Sequence, residues 1–396
     1  MRLSTKLLMT ALVASAAAGA ADASTNYKLT VLQPIPGYNR TAAGSAGEYS
    51  IGINNAGQTT GRSRGGPSSS PTAATSWNTN GIGIALATPT GAAYSRGYDI
   101  NDKGVAVGTI AVGGVGDDFK RAVRWTTPGT YDYFLTDNGF YSDTAGINNN
   151  GWITGIQYFA PQDGVSFRAF VWSPDGTTRW ISALAPGHTV TLQGINGSNV
   201  AAGFDIDQNT GAYTAVRWTE AGGLVALQAG GGGFDLAVGI NDLGVATGLE
   251  TNAGGSTFGA RWDAAGNLIY LNQLSGAVGS DSSYGINNFG VSTGDTLFAS
   301  CADSTNITCF RATIWDAAGN PTNLNDVVDP ALGYTLLTAN GINDHGLIFG
   351  QLLRGDGLQF AYLLTPVPEP GTWAMMLVGF GLVGAVARRR SRVGSV

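Results

Sequence analysis

Charge is scarce in this chain: 12% of its residues are charged, four lysines serve the whole length, and histidine and cysteine occur twice each. Nucleophilic catalysis needs a base, and the two histidines, His188 and His345, read as surface turn residues. No G-x-S-x-G elbow, phosphate loop or zinc-ligand spacing is present. Glutamate is nearly absent from the body (Glu48, Glu220, Glu250), although Asp117, Asp118, Asp205, Asp207 and Asp235 keep a carboxylate pair for glycoside cleavage open. Setting aside two basic residues in the leader, four in the tail and one acid in each leaves 15 basic against 25 acidic residues in Ser24–Pro366. Such a body repels a polyanion, which argues against a nucleic-acid partner.

Long apolar runs are confined to the two ends. The chain starts with Arg2 and Lys6, continues through an apolar stretch to Ala20, and reaches Ala21-Asp22-Ala23 before Ser24. A basic start, a short apolar core and an A-x-A site predict a secretory signal peptide over residues 1–23. Export permits a disulfide, and Cys301 and Cys309, eight positions apart, are expected to form one.

Glycine is abundant, at 60 of 396 residues, and it is periodic. Ile-Asn-x-x-Gly-x-x-x-Gly begins at Ile53, Ile100, Ile147, Ile240, Ile286 and Ile342, and a further copy at Ile195 carries Asn199 in place of the first Gly. Asn is the usual substitute for Gly in the left-handed region, so the position predicts a tight turn with positive φ. The asparagines fall at 54, 101, 148, 196, 241, 287 and 343, giving a period near 47 with one interval of 56. Trp77, Trp125, Trp172, Trp218, Trp262 and Trp315 follow six of the copies, each with a Gly four residues on.

Each unit therefore reads as four strands: one into the Ile-Asn turn, one out of it, one ending at Trp and one beyond. Helical repeats are excluded by the glycine content. Four strands in about 47 residues predict an all-β, seven-bladed β-propeller over residues 24–366. The last unit lacks its fourth strand, and Tyr27–Leu32 is a spare strand at the other end, so the N-terminal strand is expected to close the ring.

In the tail, residues 367–396, Pro368-Glu369-Pro370 precedes seventeen uncharged residues, Gly371–Ala387, and then Arg388-Arg389-Arg390-Ser391-Arg392. The span is just long enough for a single transmembrane helix, and its basic end belongs in the cytoplasm. This order resembles the PEP-CTERM sorting signal, which implies an exosortase partner, a transient hold in the inner membrane, and release to the cell surface or outside of a Gram-negative bacterium that commonly makes exopolysaccharide. The body also resembles the HAF-repeat proteins through Arg168-Ala169-Phe170-Val171-Trp172, although no copy has the His. That resemblance implies no reaction.

No cofactor is expected, with one calcium candidate. Asp205, Asp207 and Asn209 stand at positions 1, 3 and 5 of a hard-cation loop, but the Gly comes one place late and position 216 is Val, so a polar hairpin tip explains the run equally. The turn asparagines are accounted for by turn geometry. Function belongs where units depart from the pattern, and the second unit adds Tyr131, Tyr133 and Phe134, followed by Phe140 and Tyr141. Phe140 and Tyr141, beside a turn, are the expected glycan contacts. The expected function is a non-enzymatic binding or scaffolding module of the cell surface or exopolysaccharide matrix; the alternative is a secreted carbohydrate-active hydrolase or lyase.

Overall fold

A computed structural model describes residues 27–43, 52–65, 72–112, 120–135, 141–158, 167–298 and 309–367. The leader, Phe140, Cys301, and the tail from Pro368 with its Gly371–Ala387 span and arginines lie outside these residues. Among the described residues no helix is long and apolar enough to cross a membrane.

The fold is all-β, with two short 3-10 turns at Leu324–Asp326 and Pro330–Leu332 among the described residues. Among the described residues twenty-eight strands pair antiparallel in sets of four, and two of these sets are joined by one parallel pair, Thr257 with Ser280. Strands run into the Asn turn, out of it, back to the Trp, and out again, as the repeat predicts. In the fourth set, β14 (His188–Ile195), β15 (Ala201–Asp207), β16 (Tyr213–Thr219) and β17 (Gly223–Ala226) follow one another in this way.

The Asn turn joins neighbouring units as well as the strands of its own. Asn54, Asn101, Asn148, Asn196, Asn241, Asn287 and Asn343 are all buried. Each Oδ1 accepts the backbone N–H four residues on, from Gln58, Val105, Trp152, Val200, Val245, Val291 and Leu347, at 2.9–3.0 Å. Each Nδ2 donates to the backbone carbonyl of the next asparagine at 2.8–3.2 Å, and Asn343 donates to Asn54 at 2.9 Å. The circuit is closed. The positive-φ position is glycine in six turns, and Asn199 has φ 62°, as the substitution pattern requires.

The Trp landmarks are buried. Four indoles donate Nε1–H to the connection that leaves the preceding sheet, Trp77 to Gln33, Trp125 to Ala87, Trp262 to Gln228 and Trp315 to Asn272, at 2.7–2.9 Å. A buried Trp finds such a partner for its one donor, and here the partner ties two units together. The glycine that ends each repeat motif lets the preceding strand approach closely: a Cβ on Gly108 would overlap the Arg96 carbonyl and press on Trp125.

In the last set β26 (Tyr334–Ile342), β27 (Ile348–Arg354) and β28 (Gln359–Pro366) are completed by β1 (Tyr27–Val31), which pairs with β28 from Tyr27↔Pro366 to Val31↔Tyr362. The register places Leu364 where the other units have Trp, and the buried Tyr362 donates its hydroxyl to the Thr338 carbonyl. The long interval of 56 holds both 3-10 turns as well as the cysteine insertion. Cys309 is buried and disulfide-bonded.

The ring has two unlike faces. Asn turns, Trp turns and the β1/β28 end at Tyr27 and Pro366 share one face, where Pro366 lies beside Gly346 of the last Asn turn. The hairpins between second and third strands and the connections between sheets share the other.

Candidate functional site

Two of the concave regions among the described residues lie on opposite faces. On the turn face, the residues after the asparagines form a polar collar around a mouth of about 160 Å³. Asp102 Oδ1 accepts Asn55 N–H, Asn149 Oδ1 accepts Asp102 N–H, Asp242 Oδ1 accepts Gly197 N–H, Asn288 Oδ1 accepts Asp242 N–H, Asp344 Oδ1 accepts Asn288 N–H, and Asn55 Oδ1 accepts Asp344 N–H, all at 2.7–2.9 Å. Carboxamides bridge the remaining oxygens, as Asn288 does between Asp242 and Asp344 at 3.1 and 3.0 Å. The collar satisfies itself, with one break where Gly197 has no side chain. Its polar groups make no demand on a ligand.

On the hairpin face, a cleft of about 500 Å³ opens between β13 (Thr178–Ile181) and β14. Its walls include Phe167, Trp180, Leu184, His188 and Thr189. His188 is the first residue of β14 rather than a turn residue, which corrects the sequence expectation; His345 does lie in a turn. His188 Nδ1 is 2.5 Å from Asp205 Oδ1, and Asp205 Oδ2 accepts the Leu184 N–H at 2.9 Å. Asp205 is 1% exposed. An ionised carboxylate only accepts, so Nδ1 carries the proton and Nε2 is left for another partner. The nearest carboxylate oxygen to Nε2, on Asp207, is 3.9 Å away, too far for a hydrogen bond.

Two of the three residues expected as calcium ligands, Asp205 and Asp207, flank His188. Asp205 holds its ring. Asp207 caps its own hairpin, accepting from Thr210 Oγ1 at 2.7 Å and from Asn209 N–H at 2.8 Å, and these bonds hold its carboxyl below the ordinary range. Asn209 lies over Gly187. The oxygens of Asp205 and Asp207 are directed to these protein donors.

Trp180 is 43% exposed and meets Phe170 edge-on, with centroids 6.3 Å apart. The second-unit aromatics sit differently from one another. Phe134 packs on Phe170 and Trp172, Tyr131 meets Tyr133 edge-on, and Tyr141 is half-buried with its ring stacked 3.7 Å from Tyr158. Tyr158 in turn meets Phe167 on the cleft wall at 5.4 Å. The aromatic signal in the sequence therefore leads to the cleft by way of Tyr141, Tyr158 and Phe167.

Other carboxyls are buried outside the cleft. Burial pushes Asp99, in the channel mouth, up to about 7 against its bonds from Ile147 and Ile100 N–H. Burial, with Asp281 nearby, pushes Asp295 up to about 7 although Tyr284 donates to it, and burial followed by the Glu250 charge pushes Asp235 up to about 6.

Residues 366–391 match the PEP-CTERM protein-sorting motif. That motif is a substrate signal for exosortase and implies export and sorting toward the cell surface in Gram-negative bacteria. No curated protein matches the chain. Solved structures that it resembles include virginiamycin B lyase from Staphylococcus aureus, with 13% identity and TM-score 0.46 over 86% of this chain and 100% of that one. A puromycin hydrolase shows 14% identity and TM-score 0.43 over 82% of this chain and 52% of its own. The SapL1 lectin in complex with alpha methyl fucoside shows 12% and 0.38 over 68% and 95%. Enzymes and a lectin stand side by side at these identities, and the likenesses carry nothing about activity.

Proposed function

We propose that this chain is an exported, surface-sorted binding module, a seven-bladed propeller of HAF-repeat type whose hairpin face engages the exopolysaccharide matrix. One observation carries the reading. Pro366, where the sorting motif begins, ends β28 on the turn face, whereas the cleft opens on the opposite face. A tail leaving the turn face directs the cleft away from the membrane. In this reading residues 1–23 are removed on export, Gly371–Ala387 spans the inner membrane until an exosortase acts at Pro368-Glu369-Pro370, and Cys301 pairs with Cys309 to tie down the sixth hairpin.

A second reading has a specific observation behind it: the Asp205–His188 pair presents Nε2 to a cleft, as a general base would. Among the described residues no hydroxyl donates to that nitrogen, so a base there would act on water or on a substrate hydroxyl. One experiment separates the two. The full chain is run in native gels cast with neutral polysaccharides, and the polymers are then assayed for new reducing ends or unsaturated products. Retardation without new ends is the expected result; new ends reverse the choice, and no retardation removes the binding reading.

A further inference from the structure

The connection from β17 to β18 (Leu236–Ile240) crosses the hairpin face as Gln228-Ala229-Gly230-Gly231-Gly232-Gly233-Phe234, with four glycines in a row. Beneath it two acids face each other. The register of β18 with β19 (Ala246–Thr251) pairs Leu236 with Leu249, so Asp235 stands opposite Glu250 on the same side of the sheet. Both are buried, at 2% and 0% exposed. Among the described residues no Lys, Arg or His pairs with either, and no hydrogen bond satisfies Asp235 Oδ1 or either Glu250 oxygen. Two tyrosines are the other titratable neighbours. The Tyr270 hydroxyl, at the end of β21 (Leu268–Tyr270), lies beside the Glu250 carboxyl, and Tyr213 of β16 holds the ends of the connection by its backbone. Two like charges placed opposite one another and out of water are unstable together. One proton removes the conflict, because it leaves one carboxyl neutral and gives it a donor.

Glycine lets the connection close down on this pair. A Cβ on Gly230 would collide with the Glu250 carboxyl and the Tyr270 hydroxyl, and one on Gly232 with the carbonyls of Thr251 and Asn252. Gly232 N–H donates to the Thr251 carbonyl at 2.7 Å, Tyr213 N–H to Gly233 at 2.9 Å, and Asp235 N–H to Tyr213 at 3.2 Å. Side chains add little to these bonds. Phe234 is the one side chain larger than a methyl group in residues 229–234; it is 40% exposed and meets the Tyr213 ring edge-on at 4.8 Å. A segment fastened by a few backbone bonds with little apolar burial opens at low cost.

We propose that this glycine strap is a pH-sensitive latch: it stays down while the Asp235–Glu250 pair holds a proton and lifts when that proton is lost, uncovering two carboxylates on the hairpin face. With the strap down, burial and then the charge of Glu250 push the Asp235 carboxyl up to about 6. With the strap lifted, water returns it toward an ordinary value of about 4. A carboxyl raised in the closed form favours that form in full below about pH 4, and the preference is gone once pH has risen through about 6. The ratio of open to closed strap is therefore roughly tenfold higher at pH 8 than at pH 5.

Amide hydrogen exchange of the full chain, corrected for its intrinsic dependence on pH, tests the latch. From pH 5 to pH 8 residues 229–235 are expected to lose protection roughly tenfold, with the loss complete by about pH 7. The matching connection of the first unit, residues 86–91, has no titratable side chain and should not change. Asp235→Asn and Glu250→Gln each imitate a protonated carboxyl, so both should keep the strap protected at pH 8; melting curves at pH 5 confirm that they are folded. Equal protection of residues 229–235 at pH 5 and pH 8 in the intact chain overturns the latch. So does a loss that persists in both folded variants, that appears equally in residues 86–91, or that continues to grow from pH 7 to pH 9, since another group would then be responsible.

Discussion

The two faces of the ring were built under different rules. Every unit repeats the same asparagine cap and the same link to its neighbour on the turn face, so a change in any one turn disturbs two units. Among the described residues the hairpin tips differ from one another. One hairpin there carries Asp205, Asp207 and the contact to His188, while the last closes on a local Arg354–Asp356 pair. A ring closed at one end by backbone-directed bonds leaves the other end free to vary, and that is where the cleft between β13 and β14 opens.

The largest expected effect comes from removing the strand that completes the ring. A chain beginning after Leu32 loses the whole β1–β28 ladder and exposes the β28 edge. It should aggregate or lose cooperative melting, while a chain beginning at Ser24 melts sharply. Equal melting of the two would break the closed-ring account.

Arg261 sharpens the comparison at the next level. Its buried guanidinium crosses to the sixth unit, donating to the carbonyls of Trp315, Asp316 and Ala317 and to Ser292 Oγ, and burial pushes its pKa down to about 10. Arg261→Ala should cost about 3 kcal/mol in urea unfolding, because buried acceptors are left unpaired. Arg217, with one exposed bond to Ala264, should cost below about 1 kcal/mol on the same substitution.

Within the turn face itself, Asn101→Ala removes the cap on Val105 and the link to Asn148 together, and about 2–3 kcal/mol should be lost. Asp102→Ala, in the solvent-facing collar, should cost about 1 kcal/mol or less. Similar costs at both sites would mean that the buried circuit is not what joins the units.

Much of this architecture is legible before any coordinates. The single exception at Asn199 announced a left-handed turn, and the orphan strand at Tyr27 announced its place beside β28. The cleft is not legible, and the reason is a bulge. Pairing outward from Ile195↔Ala201 without interruption sets His188 opposite Gln208, with Asp205 and Asp207 on the other side of the sheet. A register shift between Leu192 and Gly194 moves His188 opposite Asp207 and brings Asp205 onto its own face. Similar shifts precede the Ile-Asn turn in β18 (Leu236–Ile240) and β22 (Ala277–Ile286), so the feature belongs to the repeat, and its one mark in the sequence is the Gly before each Ile, at Gly194, Gly239 and Gly285. The asparagine links were hidden for another reason: the turn already explained the residue, and its second bond reaches a chain segment 45 to 56 positions away, or 289 where the ring closes.

A dependence on pH is expected as well. Asp99, Asp295 and Asp235 have folded pKa values raised to about 7, 7 and 6. A carboxyl raised in the folded state contributes fully below its unfolded value near 4 and loses that contribution as pH rises through the folded value. Below pH 4 the capping carboxylates with lowered values, such as Asp263 and Asp316, begin to lose theirs. The melting temperature should therefore be highest near pH 4–5 and fall by several degrees toward pH 8. A flat profile from pH 5 to 8 would show that these three carboxyls titrate normally.

The division of labour between the faces is tested most directly by hydrogen exchange on the full chain, with and without the neutral polysaccharide that retards it. Protection is expected to rise in residues 180–190 and 205–211 on the hairpin face and to stay unchanged in the Asn turns at 54–58 and 101–105. Protection that rises in the Asn turns and not around His188 would place the binding surface on the face assigned here to holding the ring together.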